Sequence, residues 1–518
     1  MTSQSPLPSP LPAGATVCTH LWHDFCYVSD DEISKDFAMP EMQQERDGRR
    51  FFVGNFGDAR LKKTAALLHE QMVIKQKVCL RQLGENRAGE VRFGRFFAND
   101  QVSVEKLVEG VCEGINLRSA GRHVLAIEDT SEVNYQKHAK RVSGLGTVGN
   151  GSDLGFFIHP LLVVDADVGD CLGLAHMKLW QRTQGKAANY KSLPIEEKES
   201  WRWIETFQLG KKRLSSAQKI TLVADREADI YEMWDRLPDE RTHLLIRACR
   251  DRALVTADGR TLFDWIGAQT VQGSYWIDLP ATHERSAHKA LIHVRFGAVS
   301  IKKPSHCSDR NASAHVSLNV IEAVEDASTV VGKEERICWR LLTTHAVTNL
   351  EEARQCIEWY CMRWTIEQAF RTIKSQGLNL ESSLIEEASR LEKLAVMATS
   401  AAVQVMQLTL AREGKTLRPA TDVFTADEIE VLHHIQPTLE GKTEKQKNPH
   451  ALDTLAWAAW MIARLGGWKG YASERKPGPI TMLRGLQAFS SIHRGWDLAH
   501  GISTASNSTF HANDVCIR

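Results

Sequence analysis

The sequence predicts a mixed α/β protein in which a strand-containing core is flanked by a helical segment on each side. Three observations lead to this fold class. Apolar residues recur at helical spacing between residues 58 and 120, short apolar runs typical of strands follow from residue 123, and helical spacing returns after residue 350. Further short strand-like runs at 252–345 predict a β-rich insertion in the core.

The composition is that of a globular protein with more than one domain. Its 518 residues are too many for one ordinary core, so two to four domains are expected. Lys and Arg number 64, as do Asp and Glu, which argues against a general nucleic-acid binder but allows basic patches that face an anionic partner. The 11 cysteines form no disulfide-like framework, which favours a reducing, cytosolic compartment. No membrane segment is expected, because the most apolar stretch, 395–411, carries Gln and Thr and is predicted to be a buried helix.

The first 118 residues divide into two predicted segments. Residues 1–50 begin with alternating Pro and Ser and are expected to form a disordered or irregular extension. Residues 51–118 are predicted to form a helical domain with basic residues between the apolar ones. Basic helical faces are typical of DNA binding, but a helical cap with solvated Lys and Arg side chains explains the same pattern.

Residues 119–415 are predicted to form the core. Strand-like runs at 123–130, 156–167 and 171–180 precede a helix at 192–209, a strand leading into a helix at 219–234, and a strand at 243–251. Three antiparallel strands, a helix and further strands are the order of a ribonuclease-H-like core. The insertion, at about 252–345, contains strand-like runs at 275–280, 290–301, 314–324 and 336–344.

Helical periodicity continues towards the C-terminus. A helix is expected at 350–375, and Thr425 with Glu428 has the spacing of a capping box at the start of a helix over 425–435. A helix at 453–467 ends at two glycines, and a last helix is expected at 480–492. Residues 416–500 are therefore predicted to form a helical C-terminal domain, followed by a polar tail at 501–518.

The segment YCMRWTIEQAFRTIKS, residues 360–375, has an unusual distribution of polar residues. Each residue of an α-helix turns about 100°, so Tyr360, Arg363, Glu367 and Lys374 fall within about 60° of one another. A core-facing stripe would be apolar. An aromatic hydroxyl, two cations and a carboxylate on one face indicate contact with an anion and a metal together.

Three carboxylates are candidate metal ligands. Asp129 and Asp225 each end a strand-like run, and Glu367 lies on the helix just described. Carboxylates that converge at one sheet edge would bind two divalent cations, for which Mg²⁺ and Mn²⁺ are both suited. Two such ions roughly 4 Å apart activate a nucleophile and stabilise the leaving oxygen of a phosphodiester. The alternatives are a helix cap for Asp225, a turn former for Asp129, and an ion pair with Arg363 or Arg371 for Glu367.

The other members of the face would then bind the substrate. Arg363 and Lys374 would pair with flanking phosphates, and the Tyr360 hydroxyl would donate to one. The alternatives are intrahelical ion pairs and a half-buried aromatic ring. Glu227 and Asp229, which follow Asp225, are expected to be solvated or cation-paired.

The spacing Tyr-x2-Arg-x3-Glu-x6-Lys resembles the signature of the DDE transposases of the insertion sequence 4 family. The segments IEDTSEVNY, EEKESWRW and VADREADIYE resemble further blocks of the branch that contains the transposon five transposase, and PGPITMLRGL resembles its C-terminal block. The similarity covers roughly residues 55–495. About 50 residues precede it and match nothing in the family.

The resemblance implies a metal-dependent DNA transposase with a ribonuclease-H-like core. It implies an N-terminal domain that binds the terminal inverted repeats of the element, and a helical C-terminal dimerisation domain. It further implies cut-and-paste transposition by a homodimer: nicking at the 3′ end, formation and opening of a hairpin, and strand transfer into target DNA. Such a protein would work in the bacterial cytosol, associated with the nucleoid.

The resemblance also assigns residues. Asp129, Asp225 and Glu367 would bind two Mg²⁺ or Mn²⁺ ions, and Tyr360, Arg363 and Lys374 would hold DNA near the hairpin. Trp339 would stack on a flipped base, with core packing as the alternative. Arg247, Arg60 and Arg95 match basic family positions and would contact DNA.

Two other functions are compatible with the same residues. An immobile or domesticated metal-dependent DNA nuclease would keep the metal site and lack mobile ends. A DNA-binding inhibitor of transposition would dimerise without cutting, and the intact set of three carboxylates argues against it.

Overall fold

The computed structural model describes residues 54–500, apart from 183–189, 191–192, 257, 280, 282–284, 308, 333, 375–376, 472–473 and 475. The predictions for 1–50 and 501–518 lie outside the described residues. The contacts divide the described chain into two units, one formed by residues 223–364 and the other by residues 54–222 and 365–500. This division does not test the predicted domain boundaries at 118, 415 and 500, which stay predictions.

The N-terminal part of the second unit is helical, as the apolar spacing predicts. Asp58 caps the first helix by accepting a hydrogen bond from the Arg60 backbone N–H. The phenylalanines of the third helix are buried while Arg92 and Arg95 are exposed, so the helix has one apolar and one basic face. The helices are α1 (Ala59–Lys75), α2 (Leu80–Leu83), α3 (Arg87–Ala98), α4 (Val104–Val111) and α5 (Ile115–Arg118).

The same unit continues with a sheet built around one long strand. The elements are β1 (His123–Glu128), β2 (Ser131–Asn134), β3 (Gly146–Val148), β4 (Asp153–Asp165), β5 (Cys171–Trp180), α6 (Trp201–Lys212) and β6 (Lys219–Ala224). Strand β4 pairs antiparallel with β1, β2, β3 and β5, and β6 lies beside β1. The carbonyl of Arg122, just before β1, accepts from the N–H groups of Gln218 and Lys219 at 2.9 and 3.3 Å. Strands β1 and β6 therefore begin at the same end of the sheet.

The other unit, residues 223–364, holds the predicted β-rich segment. Its elements are α7 (Tyr231–Arg236), β7 (Thr242–Arg247), α8 (Leu262–Gly267), β8 (Gly273–Leu279), β9 (His288–Lys302), β10 (His315–Glu325), β11 (Cys338–Thr343) and α9 (Leu350–Met362). The strands follow the order β7–β11–β10–β9–β8, and these neighbouring strands pair antiparallel. The strands predicted at 275–280, 290–301, 314–324 and 336–344 are confirmed.

The C-terminal helices pack around one buried helix. They are α10 (Trp364–Ile373), α11 (Ala388–Ala411), α12 (Ala426–Leu439), α13 (Leu455–Leu465) and α14 (Pro479–Ala499). Helix α11 contacts α1, α4, α13, α14 and β5. It is long and apolar enough to cross a membrane, yet 94% of its apolar window is buried inside the protein. The prediction of a buried helix over 395–411 is confirmed, and the described residues indicate no membrane span.

The segment 350–375 differs from the single helix that the sequence predicts. Helix α9 ends at Met362 and α10 begins at Trp364, so the expectation of one continuous helix is wrong. The Arg363 N–H bonds to the Tyr360 carbonyl three residues earlier, at 3.1 Å, which tightens the chain at this point. Lys374 lies in a turn after α10. The turn of about 100° per residue, from which Tyr360, Arg363, Glu367 and Lys374 were placed on one helix face, therefore does not apply across the whole segment.

Two short strands, β2 and β3, were not predicted. They have four and three residues, and both are held by backbone pairing to β4. Sequence periodicity does not reliably identify strands of this length, because at most two full alternations are present.

Candidate active site

Asp129 lies at the point where β1 ends, as predicted. Strand β1 is buried from Val124 to Glu128, and Asp129 is the first half-buried residue after it. One carboxylate oxygen, Oδ1, accepts a hydrogen bond from the Thr130 backbone N–H at 2.7 Å. This bond restricts the rotation of the carboxylate.

The surroundings of Asp129 contain two fully buried titratable groups that the sequence analysis missed. Glu128 and His159 face each other, with Glu128 Oε2 3.7 Å from His159 Nε2. Burial raises the pKa of the Glu128 carboxyl well above its usual value, opposed by the charge of Arg202. Burial lowers the pKa of the His159 imidazole well below its usual value, and the charge of Arg202 adds to this. Both shifts favour the neutral forms of the two groups.

Asp225 follows β6 directly and is half-buried. It caps the short 3₁₀ turn Arg226–Ala228, and its Oδ1 accepts from the Glu227 N–H at 2.9 Å. The capping role that the sequence left open is therefore present. A capping bond fixes the carboxylate without consuming both of its oxygens, so capping and metal binding are compatible.

The turn after Asp225 is held by a second carboxylate that lies in the interior. Asp229 is 2% exposed, and its Oδ1 accepts from Arg252 Nε and Nη2 at 3.0 and 2.5 Å. Its Oδ2 accepts from the backbone N–H groups of Cys249 and Arg250 at 2.9 and 3.3 Å. The expectation that Asp229 is cation-paired is confirmed, whereas Glu227 is exposed. Asp229 thus connects the turn that carries Asp225 to the loop that follows β7.

Glu367 lies in the first turn of α10 and is half-buried. Its charge acts on Arg371 one turn later: burial lowers the pKa of the Arg371 guanidinium, and Glu367 opposes this shift. The intrahelical partner that the sequence offered as an alternative is therefore close enough to interact.

No metal site is evident in the described part of the chain, where no three Asp, Glu, His or Cys side chains are grouped closely enough to hold an ion. The assignment of Asp129, Asp225 and Glu367 as metal ligands stays a prediction. Their chemistry suits the purpose, because all three are half-buried carboxylates, and backbone N–H groups restrict the movement of Asp129 and Asp225.

Tyr360, Trp339 and Arg363 form a small cluster in residues 223–364. Trp339 on β11 and Tyr360 on α9 pack edge to face with ring centroids 5.5 Å apart, and the Arg363 guanidinium lies 5.9 Å from the Tyr360 ring. Trp339 is 9% exposed and Tyr360 is 5% exposed. The core-packing alternative for Trp339 matches this position in the protein without DNA, and the stacking role of Trp339 stays a prediction.

The remaining predicted DNA contacts come from four different segments of the chain. Arg247 ends β7 and is half-buried, Arg95 is exposed in the last turn of α3, and Arg60 is exposed and pairs with Asp58 at 3.0 Å. Burial lowers the pKa of the Lys374 ammonium, opposed by the charges of Glu381 and Glu132. None of these contacts is tested by the structure, and the four assignments stay predictions.

The family comparison supplies the deciding observation. Residues 204–403 match the family model of the transposase DDE domain. The protein is a DNA transposase. The matched region contains Asp225, Glu367 and the spacing of Tyr360, Arg363 and Lys374, whereas Asp129 lies before it.

The match also supports the fold and the general chemistry. The antiparallel order β5–β4–β1, with β6 next to β1 and α6 between β5 and β6 in the chain, is consistent with a ribonuclease-H-like core. A transposase of this kind acts on DNA and uses divalent metal ions, generally Mg²⁺ or Mn²⁺.

Proposed function

We propose that this transposase moves its own element by a cut-and-paste reaction and belongs to the insertion sequence 4 family. The proposal rests on the match to the transposase DDE domain over residues 204–403. The matched region contains the characteristic spacing of Tyr360, Arg363, Glu367 and Lys374. In this reaction water first cleaves the strand at the 3′ end of the element. The freed 3′ hydroxyl attacks a phosphodiester of the opposite strand, which closes a hairpin and releases the flanking DNA. Water hydrolyses the hairpin and restores the 3′ hydroxyl, which then attacks a phosphodiester of the target DNA and displaces one of its strand ends.

Asp129, Asp225 and Glu367 would hold two divalent cations. Asp129 and Asp225 each directly follow a six-residue strand, β1 and β6, which supports this assignment. The bound ions would supply activation of the attacking oxygen and stabilisation of the leaving oxygen. By fixing the positions of the two cations, the three carboxylates would orient the scissile phosphate.

The cations of the signature would position the DNA. Arg363 and Lys374 pair with phosphates, Tyr360 donates a hydrogen bond, and Trp339 stacks on the base that the hairpin displaces. Arg247 adds a phosphate contact, and Arg60 and Arg95 bind the terminal inverted repeat. The transposase acts as a homodimer on paired ends in the bacterial cytosol, associated with the nucleoid.

The test compares the wild-type protein with Glu367→Ala on a DNA fragment that spans the flanks of its own gene, with and without Mg²⁺. Denaturing gels should show Mg²⁺-dependent cuts at discrete positions and hairpin products for wild type. Glu367→Ala should bind the fragment as wild type does and make no cut, because the phosphate contacts persist when the carboxylate is removed.

A matched control is Glu358→Ala, which removes another half-buried carboxylate from the preceding helix, α9. This variant should cut as wild type does. Cutting by the Glu367→Ala variant would show that Glu367 is not one of the carboxylates that bind the metal ions. Cuts without hairpins or joining would indicate a nuclease, and binding without cuts in wild type would indicate the inhibitor.

A further inference from the structure

Thr130, the residue after Asp129, is the meeting point of three elements. Its hydroxyl accepts a hydrogen bond from Arg202 Nε on α6 at 3.1 Å. The same hydroxyl shares a hydrogen bond with His159 Nδ1 on β4 at 2.9 Å. Helix α6 and strand β4 are thereby connected to the end of β1 through one side-chain oxygen.

The Arg202 guanidinium is buried and lies near two tryptophan rings. Arg202 is 8% exposed, and its guanidinium carbon lies 5.0 Å from the Trp180 ring centroid and 5.4 Å from that of Trp203. Its Nη1 donates to the Glu199 carbonyl at 3.0 Å. Burial of a cation is costly unless its N–H groups and charge are satisfied, so these contacts keep the side chain in one conformation.

The neighbouring groups reinforce this arrangement. His159 is fully buried and packs edge to face on Trp203, with ring centroids 4.6 Å apart. Glu199 is fixed in turn by Arg182, whose Nε and Nη2 donate to its carboxylate at 2.9 and 2.5 Å. The segment EEKESWRW, singled out by the sequence, therefore supplies both Glu199 and Arg202 to one network.

The network acts on Asp129 through Thr130, the residue that follows it. The Thr130 backbone N–H donates to the Asp129 carboxylate. A shift of Thr130 would therefore move both the main chain and the carboxylate of Asp129.

We propose that Thr130, His159 and Arg202 are positioning residues that hold the Asp129 carboxylate in the orientation required to bind a divalent cation. The inference rests on the proposed role of Asp129 as a metal ligand. Residues that orient a metal ligand typically change metal affinity about 10–100-fold when they are mutated.

The test uses Thr130→Val, which keeps the shape of the side chain and removes the hydroxyl, and Thr130→Ser, which restores it. Binding of Mn²⁺ to the protein–DNA complex is measured by electron paramagnetic resonance, beside the Mg²⁺ dependence of cutting. Thr130→Val should weaken Mn²⁺ binding about 10-fold or more and raise the Mg²⁺ requirement in parallel. Thr130→Ser should restore both values to near wild type, and DNA binding without metal should not change.

Thr206→Val is the matched control. Thr206 lies on α6 one turn after Arg202 and is fully buried, and its hydroxyl has no hydrogen-bond partner among the residues that the structure describes. The same substitution there should leave Mn²⁺ binding unchanged. Should Thr130→Val fail to fold, Arg202→Lys replaces it, because lysine keeps the charge and lacks the Nε–H that reaches Thr130.

The outcomes separate the inference from the proposed function. Wild-type Mn²⁺ affinity in Thr130→Val, or in Arg202→Lys where that variant is used, overturns the inference. Unchanged Mn²⁺ binding in Asp129→Asn overturns it as well, because Asp129 would then hold no metal. A wild-type protein that makes no cut, while Asp129→Asn and Thr130→Val both weaken Mn²⁺ binding, supports the inference and contradicts the proposed function.

Discussion

The Asp229–Arg252 pair should contribute strongly to stability. The two side chains are 0% and 5% exposed, and their contact is 2.5 Å. Asp229→Asn should lower the free energy of unfolding by about 3–5 kcal/mol, because it leaves a buried guanidinium without its counter-charge. Urea denaturation followed by tryptophan fluorescence measures this change.

The control for this prediction is Asp258→Asn in the exposed Arg260–Asp258 pair, which has the same 2.5 Å contact. Solvent screens that pair, so the urea midpoint of unfolding should not move measurably. Equal effects of the two substitutions would show that burial does not determine the contribution of Asp229.

The side chains around Asp129 differ in how far the sequence predicts them. Asp129 and Asp225 were predicted because a polar residue at the end of an apolar run is visible in the sequence alone. The burial of Arg202 was not predictable, since an arginine in an amphipathic helix is expected to face solvent. Its position depends on Trp180 and His159, which come from strands more than 20 residues away in the sequence.

His288 should make stability depend on pH. Burial alone would lower the pKa of its imidazole, but hydrogen bonds to the Ser286 carbonyl and to the Glu325 carboxylate, the latter at 2.8 Å, raise it overall. A raised pKa in the folded state contributes stability that is complete below the unfolded pKa of about 6.5 and is lost as pH rises through the folded value. His288→Gln should therefore lower Tm more at pH 5.5 than at pH 8.5. Scanning calorimetry at both pH values provides the measurement, and an equal loss of Tm at the two would contradict it.

At the scale of elements, long and regular segments were predicted well and junctions were not. Strand β5 and helix α11 were recognised because each carries one uninterrupted pattern. The division between α9 and α10 was missed, since no Pro or Gly interrupts residues 350–373 and the 3₁₀-type bond at Arg363 depends on local packing. The capping box at Thr425 and Glu428 was predicted from spacing and is confirmed, with bonds of 3.2 and 3.0 Å.

Helices α13 and α14 pack with their backbones in close contact at Gly485, and glycine substitutions test this contact. A Cβ atom added at Gly485 would lie 1.8 Å from the Ile462 carbonyl oxygen, whereas one added at Gly495 on the same helix would meet no atom within 4 Å. Replacing a helical glycine with alanine is ordinarily stabilising by roughly 0.5–1 kcal/mol. Gly495→Ala should therefore raise Tm slightly, and Gly485→Ala should lower it, because the backbones of α13 and α14 must separate. Thermal unfolding of the two variants compares them directly, and a raised Tm for Gly485→Ala would contradict the proposed close approach.

At the scale of the whole molecule, charge balance limits how DNA can be bound. The chain has 64 basic and 64 acidic residues, so the protein as a whole offers no excess positive charge to a DNA duplex. Affinity must then come from local groups of cations whose counter-charges are few or exposed. The sequence could identify these groups only through resemblance, because Arg60 and Arg95 are not distinguishable by type or exposure from other arginines of the N-terminal helices.

The salt dependence of binding to the terminal repeat therefore tests whether Arg60 and Arg95 contact DNA and whether neighbouring arginines do not. Each phosphate contact contributes about 0.9 to the slope of log K against log salt concentration. The double variant Arg60→Ala with Arg95→Ala should reduce that slope by about 2, measured by fluorescence anisotropy on a terminal-repeat duplex without metal. Arg87→Ala is the control, since Arg87 begins α3, is 81% exposed and pairs with Glu90, yet is not a predicted contact. An unchanged slope for the double variant, or an equal loss for Arg87→Ala, would mean that the N-terminal helices bind DNA through other residues and that the basic face of α3 is only a solvated surface.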